Sequence, residues 1–258
     1  MRRSVFWGRG LAPQKVTKAA VRRAVALFAP EACAYVKPRE LEYALPALGA
    51  PEIVVLGRSN VGKSSLVGEL IGAPSAVRVS KKAGRTRAFR VFGLGDSGGG
   101  PAAYLYDMPG YGFAKAARKE GHAWRRQVAE YLQGRRNDVL RRALILVDTR
   151  RGVGPDDEDT MALLDEKRVP YTLVLTKADT VSEPELVARA GQALEATGGH
   201  TTAIPIVYAT SSLEGWGLGD VRCDLAEVVF GGAGGGGGGG GGGDGDGDEG
   251  EGEGEDKR

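Results

Sequence analysis

Glu52-Ile53-Val54-Val55-Leu56-Gly57-Arg58-Ser59-Asn60-Val61-Gly62-Lys63-Ser64-Ser65 is the stretch that decides the fold. Its first five residues are a short β-branched run, which reads as a buried strand. The next eight match G-x-x-x-x-G-K-[ST], a phosphate loop placed between a strand and a helix. In such a loop the glycines let backbone N–H groups face a polyanion, and the following helix adds its N-terminal dipole. Lys63 is expected to reach the β and γ phosphates, and the Ser64 hydroxyl to bind Mg²⁺. Gly62 to Ile71 reads as the helix, with Leu66, Val67 and Leu70 on one side. The motif alone says nucleoside triphosphate and leaves the base open.

Outward from this unit, strands and helices alternate. Ala88–Leu94, Ala102–Tyr106, Ala143–Val147, Tyr171–Leu175 and Ile204–Tyr208 read as strands. Helices are expected over Lys119–Gly134, from Pro155 to Arg168, from the capping box Ser182-Glu183-Pro184-Glu185 onward, and over Gly217–Val229. Only the glycine-rich loop at residues 95–101 separates the second and third strands, so these should form a hairpin. The expectation is an α/β three-layer fold. Its sheet would have six strands, mostly parallel, with one antiparallel edge strand and helices on both faces. Ligands in such sheets lie beyond the carboxyl ends of the strands.

The loops at those ends carry further chemistry. Asp107-Met108-Pro109-Gly110 follows the third strand; its acid can hold a Mg²⁺ hydration shell and the Gly110 N–H can sense a γ phosphate. Thr176-Lys177-Ala178-Asp179 follows the fifth strand. A carboxylate there can accept from guanine N1–H and the 2-amino group, a donor pair that adenine lacks. The stem of Lys177 can cover the base and ribose. Thr210-Ser211-Ser212 follows the sixth strand, where backbone N–H groups can bind guanine O6. Thr86, in Gly84-Arg85-Thr86, can complete the Mg²⁺ shell. Each of the last four is a common turn by itself; their order and spacing after the phosphate loop make the set of five motifs of a GTPase.

The chain is similar to the EngB (YihA/YsxC) ribosome-biogenesis GTPases of the TRAFAC class. The residues that carry the match are Gly57 to Leu66, Asp107-Met108-Pro109-Gly110-Tyr111-Gly112-Phe113-Ala114-Lys115, Val147-Asp148-Thr149-Arg150-Arg151-Gly152, Leu175 to Asp179, and Ser211-Ser212-Leu213. It departs from the family pattern at Arg87, where Gln is common, and at Met108, where Leu is usual. The resemblance implies a P-loop GTPase fold, GTP and GDP as ligands, and Mg²⁺. It also implies work on a maturing large ribosomal subunit, with rRNA, ribosomal proteins and other assembly factors as partners. Lys63, Thr86 and Asn60 are the expected catalytic residues. In similar GTPases an Asn at the Asn60 position helps bind a K⁺ ion. Tyr111 stands where many GTPases carry a water-orienting Gln, so slow hydrolysis is expected. A non-catalytic GTP-binding scaffold on pre-ribosomal particles is the alternative. A phosphate-loop kinase fits poorly with Thr176-Lys177-Ala178-Asp179.

The 258 residues carry a formal net charge of +2 that hides three regions. Residues 1–30 hold seven Lys/Arg and no acid; residues 231–258 hold seventeen glycines, eight acids and two bases. The body between, residues 31–230, has 26 Lys/Arg and 25 Asp/Glu and is the expected nucleotide-binding domain. The head fits an organelle transit peptide or a disordered basic arm. The first reading points to the mitochondrial matrix, with plastid or cytoplasm as alternatives. The tail cannot bury apolar surface and reads as disordered. Two cysteines make no disulfide framework, two histidines no His-rich metal site, and no apolar run approaches membrane-spanning length. A monomer is expected. Residues 115–142 hold nine Lys/Arg against three acids, which reads either as a solvated face or as an rRNA phosphate contact.

Overall fold

The computed structural model describes residues 6–8, 16–36, 49–74, 90–111, 126, 128–133 and 139–231. Eight strands form one sheet: β1 (Phe6–Gly8), β2 (Ala34–Val36), β3 (Glu52–Gly57), β4 (Arg90–Leu94), β5 (Ala103–Asp107), β6 (Leu140–Asp148), β7 (Tyr171–Thr176) and β8 (Ala203–Ala209). Their order is β1-β8-β7-β6-β3-β5-β4-β2. The five strands from β8 to β5 run parallel. The hairpin of β4 and β5 is antiparallel, as the short glycine loop between them requires.

Two expectations are corrected here. Among the described residues the sheet has eight strands rather than six, and antiparallel strands close both of its edges, β2 against β4 and β1 against β8. Both additions are three residues long, too short to show alternation in the sequence. The boundary at residue 30 also moves. Helix α1 (Lys18–Leu27) is part of the packed body, capped by the Thr17 hydroxyl, which accepts from the Ala20 N–H at 3.0 Å. Ala20, Ala24, Leu27 and Phe28 are buried at helical spacing, so this stretch of the basic head has an apolar face. Residues 1–5, 9–15 and 232–258 lie outside the described residues, and with them nearly all of the expected glycine–acid tail.

The remaining helices are α2 (Lys63–Leu70), α3 (Pro155–Glu166), α4 (Glu183–Ala196) and α5 (Leu218–Phe230); residues 128–133 are also helical. The Ser182 hydroxyl caps α4, accepting from Glu185 N–H at 3.4 Å. Strand periodicity divides the core in two. Val54, Leu56, Ile145, Val147, Leu173 and Leu175 meet Val128, Tyr131, Met161, Leu164 and Ala190 on one face. Ile53, Val55, Leu144, Leu146 and Val174 meet Leu27, Leu66, Leu70, Val221 and Leu225 on the other. Arg222 of α5 donates from Nε to the Leu70 carbonyl at 2.9 Å, so α5 satisfies a terminal carbonyl of the helix that follows the phosphate loop.

Candidate functional site

The phosphate loop turns where its glycines permit. Gly57 has φ 148°, and a Cβ there would stand 2.7 Å from the Leu146 carbonyl oxygen; Gly62 begins α2 at φ 112°. Asn60 adopts φ 64°, a left-handed conformation that Asn tolerates. The Lys63 ammonium donates to the carbonyls of Gly57 at 2.7 Å and Arg58 at 2.9 Å, which curls the loop around it. Val61 is buried, and its carbonyl accepts from the Thr176 hydroxyl at 2.7 Å. Ser65 lies exposed on α2.

Gly110 approaches this loop so closely that a Cβ on it would lie 2.6 Å from Lys63 Nζ and 2.7 Å from Ser59 N. The chain continues into Tyr111, whose carbonyl accepts from Ser59 N–H at 2.8 Å. The Tyr111 hydroxyl donates to Asp157 Oδ1 at 2.6 Å, at the start of α3. Burial, then the neighbouring Asp157, raises the Tyr111 phenol well above its usual value, so it stays protonated. Arg58 reaches the same helix end through Asp156 at 3.4 Å. Among the described residues, the buried hydroxyl of Ser59 has no hydrogen-bond partner.

Asp107 ends β5, buried beside Met108 with Pro109 following. Ser64 Oγ donates to Asp107 Oδ2 at 3.2 Å, and the Arg90 guanidinium bonds both oxygens. A hydroxyl and a carboxylate oxygen side by side suit a hard divalent cation, and Arg90 shows that the pair holds positive charge. These residues therefore fit Mg²⁺. Burial lowers the Lys63 pKa to about 8, against the pull of Asp107. Burial likewise raises Asp107, although Arg90 and Lys63 hold it back. Gly84, Arg85 and Thr86 lie outside the described residues.

The other half of the cleft lies at the ends of β6, β7 and β8. Thr176 closes β7, and Lys177 takes φ 57°. That bend leads into a short helical turn over Ala178–Thr180, which carries Asp179. Lys177 Nζ donates to the Asn60 carbonyl and to Asp148 Oδ2, both at 2.8 Å. It thus ties the phosphate loop to the base-reading loop. Ala178 N–H donates to the Thr210 carbonyl at 3.0 Å and Thr210 N–H to the Leu175 carbonyl at 2.7 Å, which brings the third motif loop alongside. Ser211 is buried; its N–H donates to the Trp216 carbonyl at 3.1 Å, and Ser212 follows it. Asp148 accepts from Arg150 Nε at 2.8 Å and Nη2 at 2.6 Å. Burial alone would raise the Asp148 pKa, but the hydrogen bonds from Arg150 and Lys177 hold it well below the usual carboxylate range.

The structure therefore gathers the phosphate loop, Asp107–Gly110, Thr176–Asp179 and Thr210–Ser212 at the carboxyl ends of β3, β5, β7 and β8. Four contributors were not among the expected site residues: Arg90, Asp148, Arg150 and Asp157. Asp148 and Arg150 lie inside a family-like stretch, but each acts through a partner remote in sequence or through a carboxylate. Of the basic run 115–142, most residues lie outside the described ones. Arg142 belongs to the body, where it donates to Thr172 Oγ1 at 2.8 Å and Asp224 Oδ2 at 3.1 Å.

Residues 52–177 match the family model described as "50S ribosome-binding GTPase". The chain is 43% identical over 195 residues to the probable GTP-binding protein EngB of Chelativorans sp., covering 73% of this chain and 84% of that one. It is 42% identical over 182 residues to that of Rhodospirillum rubrum, covering 70% and 78%. The chain belongs to the EngB family. Its fold is that of a solved probable EngB protein, with a TM-score of 0.53 and 22% identity over 69% of this chain and 98% of that one. Toc33 of Arabidopsis thaliana shares the fold at TM-score 0.54, with 17% identity over 84% and 95% of the two chains. EngB membership makes this a GTP-binding protein of the GTPase class, with GTP and GDP as its nucleotides.

Proposed function

We propose that the chain hydrolyses GTP slowly and uses its nucleotide state to act as an assembly factor for a large ribosomal subunit. The observation that carries the proposal is the meeting of the lysine-bearing phosphate loop and the Asp179 turn at the carboxyl ends of β3 and β7, in a chain of the EngB family. Lys63 neutralises charge on the terminal phosphates; Gly110 N–H senses the γ phosphate; Asp179 reads the purine edge. Ser64 and Asp107, with Thr86, are the residues that would hold Mg²⁺, which supplies charge neutralisation across the phosphates. Tyr111 cannot orient a water as Gln does, because its hydroxyl is taken by Asp157. That is the reason for slow turnover. Asn60 is the residue proposed to support K⁺ stimulation.

The proposed partners are rRNA and proteins of a large-subunit assembly intermediate, with the basic residues of the run 115–142 as the rRNA contact, Arg142 excepted. The working unit is a monomer. The acid-free composition of residues 1–30 supports a location in the mitochondrial matrix. Multiple-turnover GTP hydrolysis, with Na⁺ or K⁺ and with or without large-subunit particles, tests the reading. Slow basal turnover that K⁺ or particles accelerate is expected. GTP binding with no hydrolysis under any of these conditions would make the chain a scaffold instead.

A further inference from the structure

Lys177 is the tightest joint of the cleft. Its left-handed backbone is unfavourable for a residue with a Cβ, so surrounding contacts must hold it there. The contacts are present on every side. Before it, Thr149 N–H at 3.0 Å and Thr149 Oγ1 at 2.7 Å both donate to the Thr176 carbonyl. After it, the Thr180 hydroxyl donates to the Lys177 carbonyl at 2.6 Å. At the far end of the side chain, one ammonium proton goes to Asn60 and another to Asp148. Of these partners only Asp148 carries charge.

Asp148 is suited to hold a cation in one place. It ends β6 directly opposite Thr176 of β7, and the carboxylate is buried. Arg150 grips both of its oxygens, and the Arg150 backbone N–H donates to Oδ1 at 3.1 Å. A carboxylate oriented in this two-pronged way cannot rotate to follow a wandering lysine; the lysine must come to it. Nothing in the phosphate chemistry uses Asp148.

We propose that Asp148, oriented by Arg150, is a positioning residue for base selection: it fixes Lys177 and thereby the bend that presents Asp179 to guanine. The inference rests on the reading of Asp179 as the residue that recognises N1–H and the 2-amino group. Inosine diphosphate lacks that amino group, so the ratio of GDP to IDP affinity reports how well Asp179 is placed.

The test measures both affinities by calorimetry on the full chain. Wild type should prefer GDP, and Asp179→Asn should erase the preference; if wild type does not discriminate, the reading of Asp179 fails before Asp148 is questioned. Given that discrimination, Asp148→Asn should lower the ratio by about tenfold and Arg150→Ala by about threefold. In a Lys177→Met background Asp148→Asn should add less than about twofold, because the effect travels through the lysine. Asp165→Asn is the structural control. Asp165 also takes hydrogen bonds, from Thr202 at 2.6 Å and with His200 at 2.7 Å, but stands outside the cleft, so its loss should leave the ratio unchanged. The proposal is overturned if Asp148→Asn keeps the wild-type ratio, even with a lower melting point. An equal effect in both lysine backgrounds, or an equal loss in Asp165→Asn, also overturns it. If Asp148→Asn does not fold, Arg150→Ala carries the comparison, and an unchanged ratio there overturns the proposal.

Discussion

At the base end of the cleft, Asp148 sits between Arg150 and Lys177, and its charged form is favoured. At the phosphate end, Lys63 and Asp107 are both buried and both shifted toward their neutral forms. The first arrangement is finished by the protein's own residues. The second holds charges that a polyphosphate and a divalent cation would satisfy better than the protein does. Losing Lys63 should therefore cost affinity more than stability, as expected where a site is strained for its ligand.

The largest effect should come from Lys63→Ala. GDP affinity by calorimetry should fall by more than about 100-fold, the loss of charge-assisted hydrogen bonds to phosphate. The melting temperature should not fall in step, because a lysine whose pKa is lowered opposes folding while it is charged. The sign follows from linkage: with a folded value of about 8 against an ordinary 10.5, stability rises as pH climbs from 8 toward 10.5. A sharp drop in melting temperature at pH 7 would break the comparison. Next, Arg90→Ala leaves the buried Asp107 without its nearest cation and should cost about 2 kcal/mol in urea unfolding.

Asp148→Asn should cost about 1.5 kcal/mol at neutral pH, the value of a hydrogen bond to a charged group. Asp148 has a depressed folded pKa, so its contribution is present above the unfolded value near 4 and is lost as pH falls below it. Denaturation of both proteins from pH 7 to 3 should show a constant gap that closes only below about pH 4. A gap that closes near pH 6 would mean that the carboxylate is not held as described. The smallest effect is expected from Tyr111→Phe, about 1 kcal/mol for the hydrogen bond to Asp157.

The phosphate loop was legible in sequence because its spacing, its strand and its helix are contiguous. The loops of Asp107, Thr176–Asp179 and Thr210–Ser212 were legible because each ends a strong apolar strand. Asp148 was not read as a site residue because its meaning depends on Lys177, 29 positions away and paired to it only by the register of β6 and β7. Arg90 and Asp157 were hidden for the same reason. In the head, composition outweighed pattern. The absence of acids suggested a leader, although Ala20, Ala24, Leu27 and Phe28 already showed the spacing of a buried helical face. The three-residue β1 and β2 left no periodic trace to read.

The first helix also sets a limit on maturation by proteolysis. Among the described residues, a peptidase that removed the arginine-rich start up to residue 15 would sacrifice the three-residue border strand β1. A cut after Pro30 would strip Leu27 and Phe28 from the sheet face beneath the phosphate-loop helix and break the Arg23–Glu227 link to α5. Any proteolytic trimming that leaves the packed body intact must therefore fall upstream of Thr17.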